Sequence, residues 1–461
     1  MPETTRRDWL KQVTLGGILW AALSRSATGA EQRPPNIIFI LADDLGYGDL
    51  GCYGQTQFQT PNLDQMAAEG LRFTDCYAGS TVCAPSRCCL MTGFHTGHAW
   101  VRGNALVPLR PEDTTVAEVL KKAGYSTGLV GKWGLGEPDT TGIPTRKGFD
   151  EFFGYLNQKH AHNYYPEYLW QNETQIRLEG NTEGKPGVST ERSVYTPELF
   201  ASKAADFITR HKDHPFFLFF SPTIPHGNNE RLREDGVGME VPSDAPYSDK
   251  PWPQEQKNKA AMITFLDGIA GRIFQQLKNL GLDDNTIVFF TSDNGPHKEG
   301  ADPALFKSSG PFRGIKRDLY EGGIRVPMLV RWPGKITPGT VSPFPWAFWD
   351  FLPTAAELAG STPPQGIDGQ SILQVLLGHS DTLKPHEYLY WEFHEGGFKQ
   401  AVRIGNFKVV RPQTKADIEI YDLSNDSSET QNIAPDHPEI VKQAATLFKS
   451  ARTENPKWPG T

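Results

Sequence analysis

The residues best suited to carry out a reaction surround Cys83, in the run Val82-Cys83-Ala84-Pro85-Ser86-Arg87. Pro85 suits the first turn of a helix, which predicts that Cys83 lies at a helix N-terminus. Unpaired backbone N–H groups and the helix dipole favour an anion at such a position. Cys83 is therefore a candidate nucleophile, with Arg87 beside it. The alternative is a buried cysteine in a turn.

Two short polar pairs, each directly after an apolar run, offer only oxygen ligands: Asp43-Asp44 and Asp293-Asn294. Ligands of this kind suit Ca²⁺ or Mg²⁺. One such pair alone is typical of a solvated turn or a helix cap. Two pairs that both follow apolar runs favour a metal site, provided that the runs are neighbouring strands of one sheet.

Lys132 and His226 also follow apolar runs. Ligands of open α/β sheets bind beyond the carboxyl ends of the strands, so both are candidate site residues. Their positive charge and proton-transfer capacity suit an anionic substrate. A solvated lysine and a structural loop histidine are the alternatives.

The elements that must position these residues are short apolar runs at 37–41, 127–130, 216–220, 287–291 and 328–330, all predicted to be buried parallel strands. Helix signals lie between them. Thr60-Pro61 opens a helix that Gly70 ends, and a second predicted helix runs from Val116 to Ala123. This alternation predicts an α/β fold with a large mixed, mostly parallel sheet sandwiched by helices.

The sequence changes character near Tyr388, where aromatic and alternating segments begin. They predict a smaller C-terminal antiparallel sheet, and a final helix over 438–452 is expected to pack on it. We therefore divide the chain into a catalytic domain at 31–384 and an α+β subdomain at 385–461. The polar stretches 172–192 and 228–256 are expected to be surface excursions near the substrate.

Residues 1–30 are typical of a targeting peptide rather than of the fold. Arg6-Arg7 precede an apolar stretch from Val13 to Leu23, and small residues at 28–30 suit a signal peptidase. The segment resembles a twin-arginine export signal, which predicts a periplasmic or secreted protein. An amphipathic helix is the alternative, but Gly16-Gly17 would weaken it.

The 461 residues carry a net charge of −8, and 38% of them are hydrophobic. Removal of residues 1–30 takes away four basic and two acidic side chains and leaves a net charge of −10. This charge, without a dense basic block, argues against a nucleic-acid partner. No apolar run is long enough for a membrane span. Five cysteines, without a C-x-x-C pair, do not indicate a disulfide scaffold or a zinc site.

The run from Cys83 to Arg87 resembles the C-x-P-S-R signature of the type I sulfatases, a family of the alkaline phosphatase superfamily. Further motifs resemble that family in its order over essentially the whole chain after residue 30: NIIFILADD at 36–44, TPNLD at 60–64, GKW at 131–133, PH at 225–226, SDNG at 292–295, RGIK at 313–316 and EGGIRVP at 321–327. The resemblance implies hydrolysis of a sulfate ester, most simply on a sulfated sugar or glycan.

The resemblance also implies the cofactors. Cys83 would be oxidised to formylglycine (3-oxoalanine) by a formylglycine-generating enzyme, and its hydrate would attack sulfur. Ca²⁺, rather than Mg²⁺, would be held by residue 83 together with four side chains: Asp43, Asp44, Asp293 and Asn294.

The same resemblance assigns roles to the remaining side chains. Arg87 would orient the hydrate, while Lys132 and Lys316 would hold sulfate oxygens. Asp293 would act as base and His226 as the acid that protonates the leaving alcohol. For Lys316 a solvated surface position is the alternative.

One position departs from the family pattern. The family commonly reads GKWHLG, whereas this chain has Gly134 in place of the histidine that contacts the formylglycine hydroxyl. This puts sulfate release from the intermediate in doubt. His160 or His162 is a candidate replacement, with substrate binding or loop packing as the alternatives.

Candidate substrate determinants are Arg102, Asn104, His160, His162 and the stretch 228–256, each with an ordinary surface-loop role as the alternative. Two other functions compete with the sulfatase. One is a phosphonate monoester or phosphodiester hydrolase of the same fold, and the other is a non-catalytic protein that binds sulfated glycans. A thiolate phosphatase is disfavoured because Cys89, not arginine, stands six positions after Cys83. The oligomeric state is not readable from the sequence.

Overall fold

This computed structural model describes residues 33–460, which form one central sheet of ten strands and three smaller sheets. The predicted export signal at 1–30 lies outside the described residues. In chain order the strands are β1 Asn36–Ala42, β2 Leu71–Phe73, β3 Cys76–Tyr77, β4 Ser126–Lys132, β5 Glu151–Tyr155, β6 Tyr168–Gln171, β7 Thr174–Arg177, β8 Asn181–Lys185, β9 Val188–Arg192, β10 Phe216–Ser221, β11 Thr286–Ser292, β12 Met328–Arg331, β13 Thr340–Ser342, β14 Trp346–Ala347, β15 Leu389–Phe393, β16 Lys399–Ile404, β17 Phe407–Arg411 and β18 Glu419–Asp422.

The described residues form ten α-helices: α1 Pro61–Glu69, α2 Cys83–Thr92, α3 Val116–Lys122, α4 Thr196–Arg210, α5 Asn229–Asp235, α6 Gln254–Asn279, α7 Glu321–Ile324, α8 Phe351–Leu358, α9 Leu373–Leu376 and α10 Pro438–Ser450. Helices α1 and α3 are the two that the sequence predicts after Thr60 and from Val116. Helix α3 begins with a capping box, in which the Thr115 hydroxyl accepts from the Glu118 N–H and the Glu118 carboxylate accepts from Thr115.

The centre of the large sheet is parallel, in the order β11-β1-β10-β4-β5. The prediction of a mixed, mostly parallel sheet is confirmed. One detail of it is wrong, because the run at 328–330 pairs antiparallel to β11 as β12. An apolar strand that is buried on both faces looks the same in either direction, so its sequence does not reveal its orientation.

Successive residues of β1 point to opposite faces of the sheet, and each face is covered by helices. Phe39 belongs to a core with residues of α2, α3 and α8, whereas Ile38 belongs to a core with residues of α1, α4 and α6. Both side chains have no exposed surface. This double burial explains the continuous apolar run in the sequence, and it holds the strand ends rigidly at one edge.

The predicted C-terminal antiparallel sheet is present as β15-β16-β17-β18. One face packs on α10 through Tyr390 and Phe448. The other face contributes Trp391 and Val410 to the core that also contains Phe39. The domain boundary at residue 385 stays a prediction, and residues 35–461 form one compact unit.

Across residues 33–460, no helix has both the length and the apolar character needed to cross a bilayer. All five cysteines are free, and Cys88 and Cys89 are buried on α2.

Candidate active site

The polar residues that follow four parallel strands meet at one edge of the large sheet. Asp43 and Asp44 follow β1, Lys132 ends β4, His226 follows β10, and Asp293 and Asn294 follow β11. Helix α2 brings Cys83 to the same edge, and its first residue is Cys83 itself. The predicted helix N-terminus at Cys83 is thereby confirmed.

Asp43 contacts the thiol and two cations. Its Oδ1 lies 3.3 Å from the Cys83 Sγ, and its Oδ2 accepts a hydrogen bond of 2.7 Å from the Lys132 ammonium. The Arg87 Nη2 lies 3.8 Å from the same oxygen. Burial opposes ionisation of Asp43, but Lys132, His226 and Arg87 outweigh it and hold the pKa of this carboxyl well below its usual range.

Asp44 joins the second polar pair to the site. It has a positive φ of 65°, and its backbone N–H donates to Asp293 Oδ1 at 3.1 Å. The Asn294 amide donates to Asp44 Oδ1 at 2.6 Å, while the Lys316 ammonium donates to Oδ2 at 2.8 Å. The left-handed backbone is uncommon outside glycine, and here it turns the chain so that Asp43 and Asp44 serve the same site.

Arg87 lies one helical turn after Cys83 and is 1% exposed. Its Nε and Nη2 donate to Asp293 Oδ2 at 3.1 and 2.8 Å, and its Nη1 donates to the Lys132 carbonyl at 2.9 Å. A further bond reaches the Ser221 hydroxyl. Because several strand ends hold the guanidinium, its direction relative to residue 83 is fixed.

Lys316 comes from outside the parallel strands and is positioned by a tight glycine contact. A Cβ at Gly295 would lie 1.9 Å from the Gly322 carbonyl, so only glycine lets the two segments approach. The Lys316 N–H then donates to Pro296 O at 2.9 Å. Its ammonium lies 3.7 Å from the Cys83 Sγ and 3.2 Å from His226 Nε2.

His226 presents one defined nitrogen to the site. Its Nδ1 lies 2.7 Å from the Gly227 carbonyl and must donate to it, which leaves Nε2 facing Lys316 and, at 3.3 Å, Asp44 Oδ2. The Asp43 N–H anchors the preceding loop by donating to Ile224 O at 3.1 Å. Burial and the Lys316 charge lower the pKa of His226.

The Cys83 thiol has no activated thiolate character. Burial, together with the negative charges of Asp293 and Asp43, raises its pKa well above the usual value for cysteine. The helix N-terminus alone therefore does not make Cys83 a strong nucleophile near neutral pH.

Asp293 lies between the cations and the other carboxylates. Burial and the Asp43 charge raise its pKa to about 7, although Arg87 opposes the rise. A carboxyl with a pKa near neutrality is suited to proton transfer. In the same cluster the Lys316 pKa is raised because Asp44 and the other acidic groups outweigh its burial.

The donor set fits a hard cation. The Asn294 Oδ1 is buried and has no hydrogen-bond partner among the described residues, beside three buried carboxylates. Buried acceptors of this kind normally have a partner, so the orphaned oxygen favours a ligand. One potential ligand atom each from Asp43, Asp44, Cys83 and His226 also lies within 4.8 Å of the others. Oxygen-rich surroundings suit Ca²⁺ or Mg²⁺ better than a transition metal.

The two histidines proposed to replace the missing family histidine differ in placement. His162 stacks on His226, with ring centroids 4.6 Å apart and planes at 11°, and its Nδ1 lies 2.8 Å from Glu230 Oε2. His160 instead packs against Tyr155 and Tyr168, with centroids at 5.1 and 4.4 Å. His162 therefore borders the catalytic cluster, whereas the contacts of His160 are those of loop packing.

The other two candidate substrate determinants, Asn104 and Arg102, also differ in their contacts. Asn104 Oδ1 accepts from the Ala84 N–H at 2.9 Å, which places it beside residue 83. Arg102 is 1% exposed and donates to Glu392 Oε1 at 2.8 Å and to Thr453 O at 3.1 Å. A substrate-binding role for Arg102 has no support from these internal contacts, because its charge is used to join two parts of the fold.

Sequence reasoning missed His297, Ser221 and Glu230. His297 Nε2 accepts from the Gly227 N–H at 3.1 Å, so its proton is on Nδ1, which lies 3.3 Å from Asp44 Oδ2. Its position four residues after Asp293, just past a strand end, was the only available signal. Nothing in the sequence distinguishes Ser221 or Glu230 from ordinary polar residues.

Family models match almost the whole described chain. The model described as sulfatase matches residues 35–361, and the model described as N-sulphoglucosamine sulphohydrolase, C-terminal, matches residues 313–454.

Individual relatives agree with these family models. The chain is 37% identical to N-acetylgalactosamine-6-sulfatase of Homo sapiens over 76% of this chain and 67% of that protein. It is 33% identical to arylsulfatase A of Homo sapiens, covering 92% and 89% of the two chains. It is 32% identical to N-acetylgalactosamine-6-O-sulfatase of Bacteroides thetaiotaomicron, covering 92% and 94%.

Solved structures share the architecture. A crystal structure of Ps i-CgsB in complex with k-i-k-neocarrahexaose superposes with a TM-score of 0.80 at 26% identity, covering 93% of this chain and 95% of that one. The phosphonate monoester hydrolase of Agrobacterium radiobacter has a TM-score of 0.66 at 22% identity, covering 90% and 95%, and shares the fold. With its family motifs assembled at one sheet edge, the chain belongs to the sulfatase family, a family of sulfuric ester hydrolases in the alkaline phosphatase superfamily.

Proposed function

We propose that the chain hydrolyses a sulfate ester on a sulfated carbohydrate, with residue 83 as formylglycine and with bound Ca²⁺. The observation that carries this proposal is the placement of Cys83 Sγ, 3.3 Å from Asp43 Oδ1 and 3.7 Å from Lys316 Nζ. Residue 83 therefore lies beside both a candidate metal ligand and a cation suited to a sulfate oxygen.

The raised pKa of Cys83 disfavours the thiol itself as the nucleophile, and formylglycine is proposed in its place. A thiol buried beside carboxylates is a poor nucleophile, whereas the hydrate of an aldehyde supplies a hydroxyl nucleophile and a second hydroxyl for release of the product. The conversion requires a formylglycine-generating enzyme, which is thus a proposed maturation partner.

Four side chains would hold the calcium ion together with residue 83: Asp43, Asp44, Asp293 and Asn294. The orphaned Asn294 Oδ1 is the support from this structure. When bound, the ion supplies charge neutralisation and Lewis acidity at the sulfate group. His297 Nδ1 lies 3.3 Å from Asp44 Oδ2 and adds a further polar neighbour to this carboxylate.

The remaining groups divide the work of binding and proton transfer. Arg87 orients residue 83, while Lys132 and Lys316 bind sulfate oxygens. Asp293, which is held by the Arg87 guanidinium, is proposed to accept the proton of the attacking hydroxyl. His226 is proposed as the acid: its Nε2 would take a proton from the adjacent Lys316 ammonium, which donates to that nitrogen, and pass it to the leaving oxygen.

A carbohydrate sulfate is the proposed substrate class. Relatives named above carry sulfated amino sugars in their names, and a structural neighbour was crystallised with a neocarrahexaose. On this chain, His162, its partner Glu230 and Asn104 border the cluster and are proposed to contact the sugar.

Mass spectrometry of the Cys83 peptide, combined with assays on an aryl sulfate and on sulfated sugars, tests this function. We expect formylglycine in the active protein and no turnover by Cys83→Ala. A matched control is Cys52→Ala, at the partly buried cysteine of the 51–53 turn. Active protein with an unmodified Cys83 would contradict the proposal.

The phosphonate or phosphodiester hydrolase is the second candidate, favoured by the shared fold with the Agrobacterium radiobacter enzyme. Rates on matched aryl sulfate and aryl phosphonate monoesters discriminate between the two. A large preference for the phosphonate would replace the sulfatase assignment of the substrate. A protein that binds sulfated glycans but turns over neither ester would instead support the non-catalytic alternative.

Export by a twin-arginine signal is proposed from Arg6-Arg7 and the following apolar stretch. Replacing both arginines with lysine should retain the precursor inside the producing cell, because twin-arginine signals are read as an address. Fractionation and N-terminal sequencing would measure this, and unchanged export would contradict it.

A further inference from the structure

The Gln158 side chain occupies the space next to Gly134 that a side chain at position 134 would fill. A Cβ built on Gly134 would lie 2.0 Å from Gln158 Nε2 and 2.8 Å from its Cδ. Gly134 also has a φ of +80°, which favours glycine. The glycine at 134 and the amide of Gln158 are therefore spatially complementary.

The Gln158 amide nitrogen is buried and makes no hydrogen bond in the described part of the chain. A buried donor without a partner is destabilising, so its presence at this position points to an acceptor supplied by a ligand. The amide has two donors and no charge, which suits it to an oxygen of an anion.

Two neighbours of Gln158 border the catalytic cluster. Gly134, which is next to the Gln158 amide in space, follows Lys132 by two residues, and the Lys132 ammonium contacts Asp43. His162, four residues after Gln158, stacks its ring on His226. The Asn157 Oδ1 fixes the turn that contains Gln158 by accepting from the Lys159 and His160 N–H groups at 2.8 and 3.2 Å.

We propose that Gln158 is a further substrate-binding residue, whose Nε2 donates to a sulfate oxygen in the active site. This inference rests on the proposed sulfatase function. Lys132 and Lys316 provide charge at the site, whereas Gln158 adds a directional donor without further positive charge. Residue 134 is glycine because the amide of another segment, rather than its own side chain, fills the wall at this point.

Calorimetric titration of the calcium-loaded, formylglycine-containing protein with inorganic sulfate tests the contact independently of turnover. Gln158→Leu keeps most of the side-chain volume and removes both donors. We expect sulfate binding about 10- to 100-fold weaker, as for one lost hydrogen bond to a charged group. Gln275→Leu, at an exposed glutamine on α6, is the matched control and should bind like the wild type. A space-filling role alone would leave Gln158→Leu unchanged, and that result would overturn the proposal.

A second pair of variants tests the spatial complementarity. Gly134→His alone should weaken sulfate binding, because the new side chain would start where the Gln158 amide lies. In Gly134→His/Gln158→Ala the imidazole has the space that the amide occupied, and its N–H can replace the lost donor, so sulfate binding should recover at least about tenfold over the single variant. If Gly134→His is as good as wild type, or if the double variant is no better than the single one, the inference is wrong.

Failure of the proposed sulfatase function and failure of the Gln158 contact give different results. Wild-type protein that binds sulfate through Gln158 yet hydrolyses no sulfate ester would refute the proposed function and leave the contact standing. Hydrolysis of a sulfate ester with sulfate affinity indifferent to Gln158 would refute only the contact. Wild-type protein that does not bind sulfate would overturn the contact as well.

Discussion

At the scale of single residues, the site is a set of buried charges that depend on each other. Asp43 and Asp44 are ionised because Lys132 and Lys316 contact them, and these ammonium groups are in turn stabilised by the carboxylates. Removing one partner from such a pair leaves a buried charge uncompensated. Conservative substitutions that keep charge or shape therefore give clearer tests of function than alanine.

His226 gives the sharpest prediction at this scale. His226→Gln should lower kcat by about 10²- to 10⁴-fold for a sugar sulfate, whose leaving alcohol needs a proton. The loss should be much smaller for nitrophenyl sulfate, because its leaving group departs without protonation. Steady-state rates on both substrates measure this difference. Equal losses on the two esters would argue against His226 as the acid.

At the scale of elements, the site depends on close contacts between backbone segments. β4 and β5 pair at Gly131 and Gly154, where a Cβ on Gly154 would lie 1.9 Å from the Gly131 carbonyl. The C-terminal sheet is fastened differently, since Glu392 of β15 accepts from Arg102 at 2.8 Å and from Arg452 at 2.9 Å. These contacts hold the end of β4, which bears Lys132, and the segment that bears Asn104.

Gly154→Ala should destabilise the protein by about 3 kcal/mol, because the methyl group would collide with backbone that cannot move aside. Urea unfolding measures the effect. Gly268→Ala on α6 is the matched control, since a Cβ there meets nothing within 4 Å, and it should stabilise by about 0.5–1 kcal/mol. Equal stability of the two variants would contradict the packing argument.

The lowered pKa of Glu392 predicts that the protein loses stability in acid. Burial opposes its ionisation, but His394, Arg102 and Arg452 outweigh burial and lower its pKa to about 2, against an ordinary value of 4.5. When folding lowers the pKa of a carboxyl, its ionised form stabilises the folded protein at any pH above the pKa that it has in the unfolded chain. This stabilisation is lost as the pH falls toward the pKa that the carboxyl has in the folded protein. From about pH 5 to pH 3, we expect a loss of about 2 kcal/mol from this group.

Urea unfolding of wild type and Glu392→Gln at both pH values measures the Glu392 contribution. The variant should be less stable at the higher pH, and its stability should fall less steeply with acid. A parallel fall in both proteins would show that Glu392 does not titrate in this window.

At the scale of the whole molecule, the fold assembles the site from segments that are distant in the sequence. The catalytic cluster joins β1, β4, β10, β11 and α2, which span residues 36–292. A ligand that binds only this assembled cluster must stabilise the folded state as a whole.

Calcium should raise the free energy of unfolding by about 2.7 kcal/mol when its free concentration is 100 times its dissociation constant. Asn294→Leu removes the orphaned oxygen without changing the charge and should reduce this gain, whereas the exposed Asn279→Leu should retain it. Melting temperatures with calcium, and after chelation, measure the effect. A gain that is identical in all three proteins would place calcium elsewhere.

The sequence by itself determined the parallel strands and the residues at their ends. Ile37 to Leu41 is apolar on both faces, and Asp43-Asp44 follow where the burial ends, so the local pattern carried both the strand and the candidate ligands. The helix start at Cys83 was likewise local, because Pro85 and the following helical run are enough to predict it.

Only the tertiary structure decided what depends on contacts between distant segments. The antiparallel direction of β12, the internal ion pair of Arg102 with Glu392, and the approach of Gln158 to Gly134 involve partners that are not adjacent in sequence. A side chain's type states which contacts it can make, but the fold selects the partner, and the partner decides whether a buried charge binds substrate or holds the protein together.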